Sequence, residues 1–202
     1  MSTCKVKPST WRMKRISPQI SIGWGRLAGM LRGHINGSGR IFNIPNWARH
    51  LPPAARELGL NIACDIQDVV DPADPYCQDF IRYADYLFFS AANHPDPRPV
   101  MKYYLSINPE VVILATLGAN GCAIAATSGI KHFPAVQLDL PVVDTNGAGD
   151  AFAAGFLFSR VLEGRELEDA VRRGQICARH KCAQQSSSAD MITCELLNHY
   201  DH

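Results

Sequence analysis

The sequence predicts an α/β fold with a mainly parallel central sheet. Apolar runs of strand length at Ile41–Ile44, Asn61–Asp65, Tyr86–Phe89 and Val111–Ala115 alternate with helical stretches at Pro45–Leu58, Asp74–Tyr83 and Arg98–Ile107. Such alternation is left by parallel strands joined through crossover helices. Residues 141–158 then read as a strand end, a glycine turn and a buried helix. With 202 residues, 47% of them apolar, the chain is long enough for one domain with a substantial core.

The elements follow in order. Pro52-Pro53 predicts a restart within the first helical stretch, and Gly59 ends it. Asp65 and Asp68 stand at the carboxyl end of the next strand, where open α/β sheets tend to bind ligands. Thr116-Leu117-Gly118-Ala119-Asn120-Gly121 forms a glycine-bearing turn between Val111–Ala115 and the apolar Cys122–Ala126, read on its own as a hairpin turn. Phe133–Val136 is predicted as a short edge strand, since Pro134 discourages a central place. A helix is expected from Ala148 to Leu162, closed by Gly164, and a second from Glu166 to Cys182. Arg172, Arg173, Arg179 and Lys181 on that second helix are expected on its solvated side. Gln184–Asp190 is a polar run, and residues 191–202 read as a loosely held tail.

Charge is balanced overall but unevenly distributed. Residues 1–40 carry Lys5, Lys7, Arg12, Lys14, Arg15, Arg26, Arg32 and Arg40 without any acid, which sets a boundary near residue 40. This head reads as a poorly structured leader: Pro18, Gly23, Gly25 and Gly29 spoil the amphipathic helix of a transit peptide, and scattered charges make a weak nucleic-acid arm. No apolar run approaches the length of a membrane span. The seven cysteines form no C-x-x-C pair, which fits a reducing cytoplasmic setting.

The chemistry concentrates in Asp144-Thr145-Asn146-Gly147-Ala148-Gly149-Asp150. Gly147 and Gly149 open backbone conformations closed to other residues and let an anion approach the main chain. At a helix start, the first free N–H groups and the positive end of the dipole suit the charge on a phosphoryl group. Asp150 falls in the first turn. A carboxylate there either accepts a proton from an attacking hydroxyl or caps the helix dipole. A dinucleotide fingerprint starting at Gly147 would need glycine at Phe152, so that reading fails.

Taken whole, the stretch resembles the second signature of the ribokinase-like, or PfkB, family of carbohydrate kinases, Asp-Thr-x-Gly-Ala-Gly-Asp-x-Phe-x-x-Gly-Phe. Asp144, Thr145, Gly147, Ala148, Gly149, Asp150, Phe152, Gly155 and Phe156 all fall in place. Thr116, Gly118 and Gly121 resemble the family's Thr-Leu-Gly-x-x-Gly nucleotide turn. The resemblance implies a three-layer α/β/α kinase that uses ATP and Mg²⁺, with Asp150 as catalytic base and Gly147, Ala148 and Gly149 as its anion hole. It further implies a metal or monovalent-cation (K⁺) site near Asp144 and Thr145, and nucleotide contacts from Thr116, Gly118, Gly121, Asn146, Gly147 and Gly149. Residues 41–190 would form the nucleotide-binding half of such a kinase, and the substrate would be a sugar or nucleoside.

Two departures stand out. The family's N-terminal strands, sugar lid and Gly-Gly motif are not found, and Ser90 and Asn93 occupy the place of an Asn-x-x-Glu motif that organises magnesium-bound water and phosphate. Two expectations of different class follow. One is an active kinase. The other is a truncated, catalytically silent nucleotide-binding or dimerising module, whose open sheet edges predict self-association, a homodimer being the simplest form.

Overall fold

Side chains alternate across the strands between two hydrophobic cores. Ile62, Cys64 and Ile66, Leu87 and Phe89, Ile113 and Ala115, and Ala123 and Ala125 belong to one cluster; Ala63, Phe88, Leu114, Cys122 and Ile124 belong to the other. A sheet buried in this way on both faces needs a helical layer on each. The computed structural model describes residues 39–43, 49–57, 59–185 and 191–201. The expected leader lies almost wholly outside them, as does most of Pro45–Leu51.

Within the described residues the sheet has six strands in sequential order. Strands β1 (Gly39–Asn43), β2 (Asn61–Asp68), β3 (Tyr86–Ser90) and β4 (Val112–Thr116) run parallel; β5 (Cys122–Ala126) and β6 (Gly129–Phe133) add antiparallel hairpins. Helices α1 (Leu51–Glu57), α2 (Pro75–Ile81) and α3 (Arg98–Ile107) supply Ala55, Phe80, Ile81, Met101 and Tyr104 to the first core. The opposite face is covered by α4 (Ala148–Leu157), continued by a π turn over Phe158–Leu162, and by α5 (Leu167–Lys181). The expected mainly parallel α/β/α sandwich is therefore the observed one.

Local chemistry explains the ends. Gly59 takes φ +67°, with its N–H on Arg56 O and that of Leu60 on Ala55 O, the paired bonds of a Schellman cap. Asp74 caps α2 by accepting from the Tyr76 amide at 2.9 Å.

Four expectations need correction. No strand leads into the signature: residues 134–147 carry none, and Val142 and Val143 are exposed, because the amides of Val143 and Asp144 bond Cys182 O instead of a neighbouring strand. The edge strand ends at Phe133 instead of beginning there, because Phe133 is the last residue in register with β5 and Pro134 has no N–H to continue the ladder. The tail contains α6 (Cys194–Tyr200), capped by Thr193 and anchored on α5 through buried Leu197. Arg173 is not on the solvated side of α5 but fully buried. Its Nε donates to Ser159 Oγ in the π turn at 2.9 Å, and its Nη1 donates to Asn198 Oδ1 and Asp201 Oδ2 around α6.

Candidate active site

The carboxyl ends of β2, β3 and β4 meet the amino end of α4 around a cleft of about 260 Å³. Asp65, Gln67 and Asp68 form one wall; Ser90 and Thr116 lie at the strand ends; Gly147, Gly149 and Asp150 form the opposite wall. Phe88, Phe89 and Phe152 line its floor, with the Phe88 and Phe152 rings edge to face at 6.2 Å.

The α4 wall is built by a sharp turn. Asp144 Oδ1 accepts from the Asn146 amide at 2.9 Å, Ala148 N–H reaches Thr145 O, and Gly147 then enters the left-handed region at φ +77° as the cap residue. No side chain caps this helix end, and a β-carbon on Gly149 would meet nothing within 4 Å. Main-chain N–H groups of a first helical turn have no intrahelical partner, so an uncapped end of this kind suits an anion. Cys182 O holds the lead-in by accepting from Val143 N–H at 2.7 Å and Asp144 N–H at 3.2 Å. Arg179 adds bonds to the carbonyls of Leu138, Leu140 and Pro141.

The β2 wall is irregular for a physical reason. Register with β3 shifts between Asp65 and Asp68, and Gln67 adopts φ +58°, a left-handed conformation uncommon for a residue with a side chain. Asp65 Oδ1 accepts from the Gln67 amide at 2.8 Å, and Asn93 donates to Asp68 at 2.6 Å. Burial raises the Asp65 carboxyl above its ordinary range; the Gln67 amide opposes this, and the negative charge of Asp150 adds to it. Asp150 itself is exposed.

Of the residues singled out in the sequence, Asp65, Asp68, Ser90, Thr116, Gly147, Gly149 and Asp150 line the cleft together. Gly118 and Gly121 shape the adjoining hairpin turn instead: both have positive φ, and a β-carbon on Gly121 would fall 2.1 Å from Phe133 O. Asp144, Thr145, Asn146 and Ala148 form the turn behind the cleft wall. Among the described residues no group of three or more His, Cys, Asp or Glu is arranged as a metal centre. The cleft still offers Asp65, Asp68 and Asp150, hard oxygen donors of the kind that hold Mg²⁺ with the help of substrate phosphates. The aromatic floor escaped the sequence reading, although its residues sit at strand ends or in the signature itself.

A model for the pfkB family carbohydrate kinases matches residues 53–194. The chain belongs to that family. A relative in Actinoplanes sp., acarbose 7(IV)-phosphotransferase, is 35% identical over 111 residues, covering 54% of this chain and 37% of that protein. The aminoimidazole riboside kinase of Salmonella typhimurium is 37% identical over 106 residues, covering 52% of this chain and 27% of the relative. Among solved structures, a microbiome-derived acarbose kinase superposes with a TM-score of 0.75 at 27% identity, covering 81% of this chain and 55% of that one. Thermotoga maritima ribokinase, at 18% identity and a TM-score of 0.64, shows the same fold. The architecture of this pfkB family member is thus ribokinase-like, and the chain spans about half the length of the acarbose kinase it superposes on. Among the described residues no helix is long and apolar enough to cross a membrane.

Proposed function

We propose that this chain carries the nucleotide site and catalytic base of an ATP-dependent kinase that phosphorylates a hydroxyl of a sugar or nucleoside. The observation that carries the reading is the placing of Asp150 in the first turn of α4, beside the uncapped Gly147–Gly149 turn and on a cleft at the strand ends. Membership of the pfkB family supports ATP as donor and a sugar or nucleoside as acceptor.

In this mechanism the Asp150 carboxylate accepts the proton of the acceptor hydroxyl. The freed oxygen attacks the γ-phosphorus of ATP, and the bond from that phosphorus to the β–γ bridging oxygen breaks, giving ADP and the phosphorylated acceptor. The N–H groups of the first α4 turn meet the charge on the γ-phosphoryl oxygens. Thr116 bounds the cleft from β4, and the turn of Gly118 and Gly121 borders the nucleotide. Mg²⁺, when bound near Asp65 and Asp68, would neutralise phosphate charge. A monovalent cation such as K⁺ beside Asp144 and Thr145, a homodimeric assembly and a cytoplasmic location belong to the same proposal. The free thiols of the described cysteines support that location.

Titration calorimetry with ATP, with and without Mg²⁺, tests the site on the chain and on Gly149→Val. Magnesium-dependent binding that the valine removes is the expected result. With an acceptor sugar found by screening, Asp150→Asn should slow turnover by about 10²–10⁴-fold while leaving ATP binding intact. A folded chain that binds no ATP would overturn the kinase reading and favour the silent module.

A further inference from the structure

We infer that Asn93 and His94 are positioning residues: together they clamp the end of β2 and hold the Asp68 carboxylate on the cleft wall as a donor to nucleotide-bound Mg²⁺. This rests on the nucleotide reading given above.

Regular strand pairing does not put Asp68 where it is. β2 steps evenly along β3 from Ala63 opposite Tyr86 to Asp65 opposite Phe88, and then the register shifts. Continued even pairing would bring Gln67 opposite Ser90; the left-handed Gln67, at φ +58°, takes up one extra residue and Asp68 arrives there instead. Ser90 is in turn in register with Thr116 of β4. Asp68, Ser90 and Thr116 thus form a row across three neighbouring strand ends, and all three line the cleft that Gly147 and Gly149 close from the other side. A carboxylate beside two hydroxyls is a hard-oxygen set of the kind that suits Mg²⁺ shared with phosphates.

A left-handed residue with a side chain persists only where its surroundings hold it. Two bonds from the loop after β3 do so. Asn93 Nδ2 donates to Asp68 Oδ2 at 2.6 Å, and His94 Nε2 lies 2.6 Å from Val69 O. A carbonyl only accepts, so this ring nitrogen carries the proton and donates. Consecutive residues of one loop therefore hold consecutive residues of the other, side chain and main chain together. The amide bond to Asp68 is short and charge-assisted, and it uses one of the roughly four lone-pair sites of the carboxylate, which keeps acceptors for a cation. Neither Asn93 nor His94 lines the cleft, so each acts through the end of β2.

ATP titrations across a range of Mg²⁺ concentrations test this on the chain, Asn93→Ala, Asp68→Asn, the double variant, His94→Phe and His94→Gln, with thermal melts of each. Asn93→Ala should raise the Mg²⁺ concentration that half-saturates ATP binding by about tenfold. His94→Phe should move it in the same direction, and His94→Gln, which keeps a donor at the same reach, should stay near wild type. The double variant should match Asp68→Asn alone, since Asn93 acts through that carboxylate. An unchanged Mg²⁺ requirement in Asn93→Ala or in Asp68→Asn, or losses that simply add in the double variant, overturns the positioning role and leaves the nucleotide site standing. A lowered melting temperature with an unchanged Mg²⁺ requirement overturns it equally, since that is the mark of a loop fastening. Absence of ATP binding by the wild type overturns both this inference and the kinase reading.

Discussion

The main-chain oxygen of Phe152 lies 2.9 Å from the point where a β-carbon on Gly174 would sit, with the Phe152 ring at 3.1 Å behind it. The contact is matched in the other direction, since a β-carbon on Gly155 would fall 2.5 Å from Cys177 Sγ and 3.2 Å from Arg173 O. Helices α4 and α5 thus cross through a pair of glycines, and this closeness fixes the start of α4 against the cleft.

Gly174→Ala sets two effects of opposite sign against each other. Alanine gains about 1 kcal/mol of helix propensity over glycine. Overlap with a backbone oxygen, which cannot rotate away, costs about 1–3 kcal/mol. The expected net result is a lower melting temperature together with weaker ATP binding, as Phe152 also lines the cleft. A melting temperature above wild type would show that the crossing is looser than described.

Arg173 joins the π turn, α5 and α6 through Ser159, Asn198, Asp201 and Glu163. Arg173→Met leaves buried Ser159 without its donor and takes one cation from each of Glu163 and Asp201, which keep Arg165 and Arg172, an expected loss of about 2 kcal/mol. Asp201→Asn should cost less, because Ser159 and Asn198 keep their bonds to the guanidinium, Glu163 remains 3.3 Å from Nη2, and Asp201 keeps some solvent. Urea unfolding gives the two values, and hydrogen exchange of α6 should show faster opening in Arg173→Met. Equal losses would place the energy in the Asp201 pair and not in the network.

Asp65 gives stability a pH dependence of defined sign. Its folded-state carboxyl is raised, chiefly by burial, so between the unfolded value of about 3.9 and the raised value the native state holds more proton than the unfolded one. Stability contributed by this group therefore falls as pH rises through that window and stays lowered above it. Asp65→Asn keeps an acceptor for the Gln67 amide and removes the charge. The variant should melt higher than wild type at neutral pH and converge with it in acid. A difference that persists unchanged below the unfolded carboxyl range would assign the effect to packing.

Much of the fold was legible because it follows from short-range rules. Strand-length apolar runs, Gly59 after α1 and Asp74 before α2 are written within a few residues of where they act. The signature was legible for the same reason: its glycines and Asp150 are contiguous, so one helix start brings them together.

The sequence by itself determined the mainly parallel α/β order, the α4 turn with Asp150 in its first turn, and family membership in outline. Tertiary structure alone decided what lies opposite and behind that turn. It set Asp65 and Asp68 across the cleft through the shifted register of β2, buried Arg173 among charges from three segments, and laid Lys181 along Gly147. The physical reason is range. Periodicity and capping report on neighbours in the chain, whereas the surroundings of a charge depend on which distant segments the sheet and the α4–α5 crossing bring to it.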